Sequence, residues 1–254
     1  MKFLEDWNEI GLKIGREIRE NVLKYYGKKE GAKIIGQSPS GDTTRLIDKI
    51  SEDIAFKHLS DLNVNIVSEE CGDINKNSGS SWTVVIDPID GSFNFIHGLP
   101  CFGFCFGVFK NNKPYYGLTY ELLPNNIYEA FHNEGAYLNG EKIGVKEYDK
   151  NNIVMSYYTN KDMGIVNKIK RTRCMGAFGI EMAYVSKGSL DCATDLRPHV
   201  RTTDIASSYI ICKESGAIIT DEYGNDFKLE LTATSKKKII VANSENILKD
   251  VFGL

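Results

Sequence analysis

Helical spacing of apolar residues dominates the start of the chain. Over residues 7–25 the apolar positions recur three or four apart, which predicts an amphipathic helix that ends near Gly27. Residues 31–42 are rich in Gly, Ser and Pro and indicate a mobile loop. Asp42-Thr43-Thr44 then fits the cap of a second helix that carries apolar residues as far as Leu59. A pair of helices is therefore expected ahead of the first strands.

Short apolar runs replace this spacing further along and predict a sheet. Strands are expected over 64–67, 82–87, 101–109, 115–121 and 127–131, with a polar loop over 71–81. Residues 101–109 are apolar throughout, which is typical of a strand buried on both faces, and Gly103 and Gly107 allow close backbone approach. Asn139-Gly140 between apolar residues indicates a β-hairpin. This half is therefore predicted to be a largely antiparallel sheet.

Strands and helices alternate after a polar stretch at 146–152. The expected strands are 153–157, 171–175, 190–195, 217–220 and 239–241, and the expected helices are 161–170, 178–187, 204–215 and one from Asn243 or Ser244. The whole pattern predicts an α/β (α+β) fold. We expect residues 1–148 to hold the helix pair and the antiparallel sheet. Residues 149–254 are expected to form an α/β lobe, and the two parts to pack as one compact unit.

Composition and charge narrow the function classes. The chain has 254 residues, of which 42% are hydrophobic and 26% charged, as in ordinary globular proteins. With a net charge of −3 and Lys236-Lys237-Lys238 as its longest basic run, it has no nucleic-acid signature. Neither a membrane-length apolar run nor a signal peptide is visible, and the six cysteines form no C-x-x-C pair. We therefore expect a cytoplasmic protein with reduced thiols and no nucleic-acid or membrane partner.

The segment from Trp82 to Phe95 carries the most distinctive chemistry. Its β-branched run ends in Asp87 and Asp90 around Pro88, which lacks an N–H, so the strand is expected to stop there. The Ile89 carbonyl lies between the two carboxylates. The small residues Gly91-Ser92 then offer N–H groups at a helix start. Oxygen ligands beside backbone donors suit a cation next to an anion, and the segment therefore predicts a metal-and-phosphate site.

Further acids are expected to converge on this segment. Glu69-Glu70 end the preceding strand, and Asp204 opens a later helix. Four or five acids at strand ends and helix starts repel one another unless cations neutralise them. An oxygen-only set suits Mg²⁺ or Mn²⁺, and the four scattered histidines offer no softer site. Two such ions can activate water against a phosphomonoester, which requires no nucleophilic side chain; none of the usual nucleophile or phosphate-loop motifs occurs.

Taken together, these residues resemble the lithium-sensitive, Mg²⁺-dependent sugar phosphatase family of inositol monophosphatases and fructose-1,6-bisphosphatases. The matching blocks, in chain order, are Asp48, Glu69-Glu70, Asp87-Pro88-Ile89-Asp90-Gly91-Ser92 and Thr203-Asp204-Ile205-Ala206-Ser207. The match spans most of the chain and is strongest to archaeal members that hydrolyse both substrate types. The resemblance implies a layered αβαβα sandwich, usually dimeric, that uses two or three Mg²⁺ ions.

The resemblance also implies roles for individual residues. The implied metal ligands are Glu69, Asp87, the Ile89 carbonyl, Asp90 and Asp204, with Asp42 reaching a third ion. Asp48 and the Ser92 hydroxyl, which replaces the family's Thr, would orient or activate the attacking water, assisted by Glu70. Thr203 and Ser207 also depart from the family pattern, and they are expected to affect packing more than chemistry. The expected substrate contacts include Asp90, Gly91, Ser92 and Ala177.

Two arginines bear on the choice of substrate. Arg197 stands where animal inositol monophosphatases carry an acid that contacts inositol hydroxyls, and an arginine suits a second phosphate instead. Arg173, ahead of the Gly176-Ala177 helix start, is a second candidate for phosphate binding. For each arginine the alternative is an ordinary salt bridge. Tyr157-Tyr158 is expected either to line the sugar pocket or to pack in the core.

The leading hypothesis is a Mg²⁺-dependent phosphatase that removes the 1-phosphate of fructose 1,6-bisphosphate and of inositol 1-phosphate. Such an enzyme would act in gluconeogenesis and inositol phosphate metabolism. The alternative within the family is a 3′-phosphoadenosine 5′-phosphate phosphatase, although no nucleobase pocket is evident. A catalytically dead sugar-phosphate sensor is the alternative from another class, and the presence of every expected acid argues against it.

Overall fold

Five layers of helix and sheet alternate through the protein. The structure is a computed structural model that describes residues 6–38, 41, 43–75, 79–159, 164 and 169–254. A helix pair covers an eight-stranded sheet, a second helix pair separates that sheet from a five-stranded one, and the C-terminal helical segment covers the outer face. The predicted layered αβαβα sandwich is thus confirmed.

The helices of the described residues begin and end near the predicted positions. They are α1 (Trp7–Val22), α2 (Leu46–Leu59), α3 (Ser92–Ile96), α4 (Phe178–Ser186), α5 (Thr202–Glu214) and α6 (Glu245–Ile247). A 3₁₀ turn at Leu23–Tyr25 extends α1, and a π turn at Leu248–Phe252 extends α6. The helix predicted over 161–170 lies largely outside the described residues. Among the described helices, none is long and apolar enough to span a membrane.

The large sheet contains every long strand of the first half of the chain. Its strands are β3 (Asn65–Ser68), β4 (Gly72–Asn75), β5 (Trp82–Asp90), β6 (Gly103–Lys110), β7 (Lys113–Glu121), β8 (Asn126–Phe131), β9 (Gly135–Leu138) and β10 (Glu141–Ile143). Their spatial order is β10-β9-β8-β7-β6-β5-β3-β4. β3 and β5 are parallel, and the other neighbours are antiparallel. Asn139 and Gly140, both with positive φ, make the predicted hairpin turn.

The second sheet holds the strands that follow residue 153. These are β11 (Val154–Tyr158), β12 (Arg171–Arg173), β13 (Cys192–Arg201), β14 (Ile218–Thr220) and β15 (Lys236–Ala242), in the order β12-β11-β13-β15-β14. β11 is parallel to β12 and β13, whereas β15 is antiparallel to β13 and β14. Because α4 and α5 from this half pack between the sheets, the two halves share a core. The division at residues 148 and 149 stays a prediction.

Strand alternation assigns each apolar side chain to one layer boundary. In β5, Val84 and Ile86 pack with α1 and α2, and Val85 faces α5 on the opposite side. In β13, Ala193 faces the inner helices, and Cys192 faces the C-terminal helical segment. Full burial of a large apolar side chain contributes roughly 1.5–3 kcal/mol, so these central strands are stabilised from both faces.

Two paired glycines let α5 lie directly against the large sheet. Gly107 of β6 stands opposite Gly117 of β7. A Cβ at Gly107 would approach the Ala206 carbonyl carbon to 3.1 Å, and one at Gly117 would approach the Ser207 oxygen to 2.5 Å. Any larger residue would push α5 outward. This close approach brings Asp204, in the first turn of α5, to the sheet.

One predicted strand end is wrong. β5 continues through Pro88 to Asp90 instead of stopping at Pro88. Asp87 pairs with Cys105 and Asp90 with Gly103, so Pro88 and Ile89 form a bulge opposite a single residue. Because Pro88 lies in the bulge, its lack of an N–H removes no hydrogen bond from the ladder, and the strand continues after it.

Other local predictions also need correction. Residues predicted as a mobile loop contribute β1 (Ile34–Gln37), which forms a hairpin with β2 (Thr43–Arg45). Helix α2 therefore begins at Leu46, and the Asp48 carboxylate accepts the Arg45 N–H at 2.8 Å. The predicted cap at Asp42-Thr43-Thr44 is wrong because Thr43-Thr44 belongs to β2. Likewise, β4 lies within the predicted loop 71–81, because it pairs with β3.

Candidate active site

Three acids from different elements meet at the ends of β3 and β5. Glu69 directly follows β3, Asp87 lies in β5, and Asp204 lies in the first turn of α5. A ligand oxygen from each lies within 4.8 Å of one from both of the others. This arrangement arises because β3 pairs in parallel with β5 and because α5 packs closely against the sheet. All donors are carboxylate oxygens, which suit a hard divalent cation.

The charges of this acid cluster are only partly compensated within the protein. Burial raises the pKa of the Glu69 carboxyl well above its usual value, and the neighbouring Asp204 charge raises it further. Burial likewise raises the pKa of Asp87, with Glu69 as the second cause. For Asp204, burial raises the pKa and the hydrogen bond from the Arg201 N–H lowers it. Carboxylates with such raised pKa values favour either protons or a bound cation.

Asp90 joins this cluster to the start of α4. Its carboxylate accepts the Ile180 N–H at 3.2 Å, where the helix dipole favours a negative charge. Burial nevertheless raises the pKa of Asp90, and Asp204 adds to the effect. Gly91 follows with a φ of 83°, and a Cβ there would lie 2.8 Å from the Cys101 carbonyl oxygen. Glycine is therefore required for the turn that begins α3 at Ser92.

Asp48 and Glu70, which are expected to orient or activate the attacking water, each accept a hydrogen bond from a residue of β2. Asp48 is only 4% exposed, and burial raises its pKa to about 7, opposed by the Arg45 N–H bond. Glu70 accepts the Thr44 hydroxyl, and burial raises its pKa as well. A carboxylate that titrates near neutral pH is suited to general base catalysis. The partnership of Asp48 with the Ser92 hydroxyl stays a prediction, and Asp42 lies outside the described residues.

A cavity of about 180 Å³ opens beside the cluster. Its lining residues are Asp90, Tyr158, Gly176, Phe178, Asp195, Arg197, His199, Val200 and Asp204. Arg197 thus shares a cavity with two of the expected metal ligands. Arg173 does not line it; that side chain is exposed and donates to the Thr172 carbonyl at 2.8 Å. Ala177, also outside the lining, is buried at the start of α4.

A bulge in β13 carries Arg197 to this cavity. Asp195 pairs with Ile239 and Val200 with Lys237, so residues 196–199 stand opposite Lys238 alone. The Arg197 guanidinium returns to Asp195, donating from Nε at 3.0 Å and from Nη2 at 2.8 Å. Arg197 thus forms the salt bridge of the alternative interpretation and also lines the cavity, and its role in phosphate binding stays a prediction.

Each of the two adjacent tyrosines takes one of the two expected roles. Tyr158 lines the cavity, with its ring centre 4.6 Å from the Arg197 guanidinium carbon. Tyr157 points to the other face of β11 and packs with Met155 in the outer core. Alternation along the strand sends one to the pocket and the other to the core.

One residue of this site, Arg201, was not predicted from the sequence. Arg201 donates from Nη1 to Glu69 Oε1 and is only 12% exposed at its side chain. It lies at the end of β13, which the sequence pattern ended at residue 195. The only available signal was spacing, because an N–H three residues before Asp204 suits a helix-capping carboxylate.

Size alone does not identify the site. A larger cleft of about 630 Å³ lies around Lys236, Lys237 and Lys238, bordered by the Asp221–Asp226 turn. None of the cluster acids lines it. The smaller cavity is lined by Asp90 and by Asp204 of the acid cluster and is therefore the candidate active site.

The fold and the acid-lined site define a metal-dependent phosphatase. Residues 4–252 match the sequence profile of the inositol monophosphatase family, and the chain belongs to that family. The predictions of the family and of a phosphatase are confirmed.

Near full-length relatives share its sequence. The chain is 59% identical over 251 residues to the fructose-1,6-bisphosphatase/inositol-1-monophosphatase of Methanocaldococcus jannaschii, covering 98% of this chain and 99% of the relative. It is 45% identical to the protein of the same name from Thermococcus kodakarensis, covering 97% and 96%. A crystal structure of an inositol monophosphatase-fructose 1,6 bisphosphatase superposes with a TM-score of 0.94 at 59% identity, covering 100% of this chain and 99% of the other.

Proposed function

We propose that this phosphatase removes the 1-phosphate of fructose 1,6-bisphosphate and of inositol 1-phosphate, using Mg²⁺. The names of the two relatives support the substrate pair. The observation that carries the proposal is the shared cavity, which is lined both by Asp90 and Asp204 and by Arg197. A substrate with two phosphates has one group for the acids with their metal ions and one for the arginine.

The proposed metal site uses this chain's oxygen ligands. Glu69, Asp87, the Ile89 carbonyl, Asp90 and Asp204 would hold two Mg²⁺ ions, for which Mn²⁺ could substitute, and Asp42 would reach a third. The donor set fits such ions, because it consists of oxygens whose carboxyl pKa values are raised by burial and mutual repulsion. When bound, the ions polarise the phosphoryl oxygens and lower the pKa of an attacking water.

The remaining site residues bind the phosphate and orient or deprotonate the attacking water. Asp48, with its pKa of about 7, accepts a proton from the water or orients it together with the Ser92 hydroxyl. Glu70, fixed by the Thr44 hydroxyl, assists as a second acceptor. The N–H groups of Gly91 and Ser92 bind phosphate oxygens at the start of α3.

The names of the relatives favour a sugar or inositol phosphate over a nucleotide. The 3′-phosphoadenosine 5′-phosphate alternative would need a further pocket for the base. A catalytically dead sensor is disfavoured because Glu69, Asp87, Asp90 and Asp204 are all retained.

The proposal includes a cytoplasmic enzyme that assembles as a homodimer. All six cysteines are free, which supports a reducing compartment. The dimer is proposed from the family resemblance.

Phosphate release from three substrates tests the proposed function. With Mg²⁺ we expect hydrolysis of fructose 1,6-bisphosphate and inositol 1-phosphate, with little of 3′-phosphoadenosine 5′-phosphate. Chelation of the metal should stop both reactions, and added Mg²⁺ should restore them. Exclusive hydrolysis of the nucleotide, or activity insensitive to chelation, would refute the proposal.

A further inference from the structure

Glu181 is a fully buried acid with no role in the proposed chemistry. It lies in α4 with no exposed surface, and burial raises its pKa. Its carboxylate accepts four donors: the Ser156 and Tyr158 hydroxyls, and the N–H groups of Met175 and Gly176 at 2.9 Å each. Four hydrogen bonds offset the desolvation of a buried carboxylate. Through these hydrogen bonds, Glu181 links β11 to the turn that precedes α4.

Tyr158 connects the hydrogen bonds of Glu181 to the cavity. Besides donating to Glu181, its hydroxyl accepts the Gly176 N–H at 2.6 Å. The hydroxyl is thus engaged inside the protein, and the aromatic ring is the part that meets Arg197. A guanidinium 4.6 Å from the ring centre is within the range of a cation–π interaction.

Arg197 is consequently held from two directions. The Tyr158 ring contacts the face of its guanidinium, and Asp195 binds Nε and Nη2 along one edge. Among the described residues, none accepts a hydrogen bond from Nη1. The side chain is 34% exposed, and it lines the cavity. A planar guanidinium fixed in this way can donate to a phosphate with little further ordering.

We propose that Glu181 and Tyr158 are positioning residues that orient Arg197 toward the non-reacting phosphate of a bisphosphate substrate. The inference rests on the proposed function and extends it, because it assigns substrate selection to a buried carboxylate behind the cavity wall. Tyr158 acts through Arg197, and Glu181 acts through the Tyr158 hydroxyl. A substrate with a single phosphate makes no use of this arrangement.

Tyr158→Phe tests the chain of contacts with a minimal change. The ring remains, but the hydroxyl that joins it to Glu181 and Gly176 is lost. We expect the KM for fructose 1,6-bisphosphate to rise roughly 3- to 10-fold with kcat nearly unchanged, because the arginine loses preorganisation. Both constants for inositol 1-phosphate should stay near wild type. Tyr158→Leu, which also removes the stacking surface, should raise the bisphosphate KM further.

Tyr184→Phe is the matched control. Tyr184 also lies in α4 and donates its hydroxyl to a buried acid, Glu121, but it does not line the cavity. This variant removes an equivalent hydroxyl–carboxylate bond and should leave the constants for both substrates unchanged. Comparable thermal midpoints for Tyr158→Phe and Tyr184→Phe would show that a KM difference does not reflect global destabilisation.

A double mutant separates positioning from independent action. If Tyr158 acts through Arg197, Tyr158→Phe should have little further effect in an Arg197→Met background. Additive effects of the two substitutions, or an equal KM rise for both substrates, would overturn the inference while leaving the proposed function intact. A wild-type enzyme that does not hydrolyse the bisphosphate would overturn the proposed function, and this inference with it.

Discussion

Two groups of residues at the site differ in how their charges are compensated. The first, which we call the acid wall, is the cluster of Glu69, Asp87 and Asp204 with raised pKa values, of which Asp204 lines the cavity. The second, which we call the arginine wall, is Arg197, which lines the cavity and is paired along one edge of its guanidinium with Asp195. Among the described residues, one ion pair, to Glu69, partly offsets the three acidic charges of the acid wall, whereas the single charge of the arginine wall is paired with a carboxylate.

This contrast separates catalysis from substrate choice. Partly compensated carboxylates bind cations strongly because folding has already brought the negative charges together. A neutral arginine–aspartate pair adds little long-range attraction, but its oriented N–H groups can select a phosphate by geometry. We therefore expect substitutions on the acid wall to affect every substrate, and those on the arginine wall to affect bisphosphates alone.

The largest expected effect is that of Asp87→Asn. The change keeps the side-chain shape and removes the charge at the centre of the cluster. Because metal assistance is worth several kcal/mol, turnover of both substrates should fall by about a thousandfold or more. Phosphate release at saturating Mg²⁺ measures the loss.

Asp53→Asn provides the control for that substitution. Asp53 pairs with Lys49 on the surface of α2, and its side chain is 61% exposed. Its replacement should leave turnover unchanged. If the Asp87→Asn enzyme were as active as the Asp53→Asn enzyme, the acid wall would have no role in the reaction.

Arg197→Met should have a smaller and more selective effect. Hydrogen bonds to charged groups are worth about 1.5–3 kcal/mol, so the KM for fructose 1,6-bisphosphate should rise roughly 10- to 100-fold. The KM for inositol 1-phosphate should change little, because it has no second phosphate. Arg173→Met, on the exposed β12, should raise this KM less than Arg197→Met does. A larger rise for Arg173→Met would indicate that Arg173 binds the second phosphate.

Local sequence predicted the acid wall better than the arginine wall. Glu69, Asp87 and Asp204 end strands or open a helix, and those elements are visible as apolar runs. The bulge at Pro88 was missed, because the proline shows only that one N–H is absent. Whether the strand stops or bulges depends on the pairing of Asp90 with Gly103. This information lies in the partner strand.

The contacts that were missed depend on distant parts of the chain. The Arg201–Glu69 ion pair joins residues 132 positions apart, and nothing near Arg201 indicates it. The Arg197–Asp195 bond arises only because residues 196–199 bulge from β13, which follows from the register of β15. The family resemblance indicated a substrate contact at Arg197, but it did not indicate the contacts that hold this side chain.

The central claim is that the acid wall is a cation site whose negative charge is only partly compensated by the folded chain. Burial raises the pKa of Asp48 to about 7 and those of Glu69, Asp87 and Asp90 well above their usual values. Above about pH 4 the native state then binds more protons than the unfolded chain, so these groups lower the stability of the metal-free enzyme as the pH rises. A divalent cation that replaces the protons should therefore stabilise the enzyme more as the pH rises, and we expect this effect from Mg²⁺.

Thermal unfolding with and without Mg²⁺ at pH 5 and pH 8 measures this directly. At a Mg²⁺ concentration about 100 times its Kd, each site adds about 2.7 kcal/mol to the free energy of unfolding. We predict a clearly larger Mg²⁺-induced rise in Tm at pH 8 than at pH 5, and a much reduced rise in Asp87→Asn. An equal rise at both pH values, or one that Asp87→Asn leaves intact, would contradict the account.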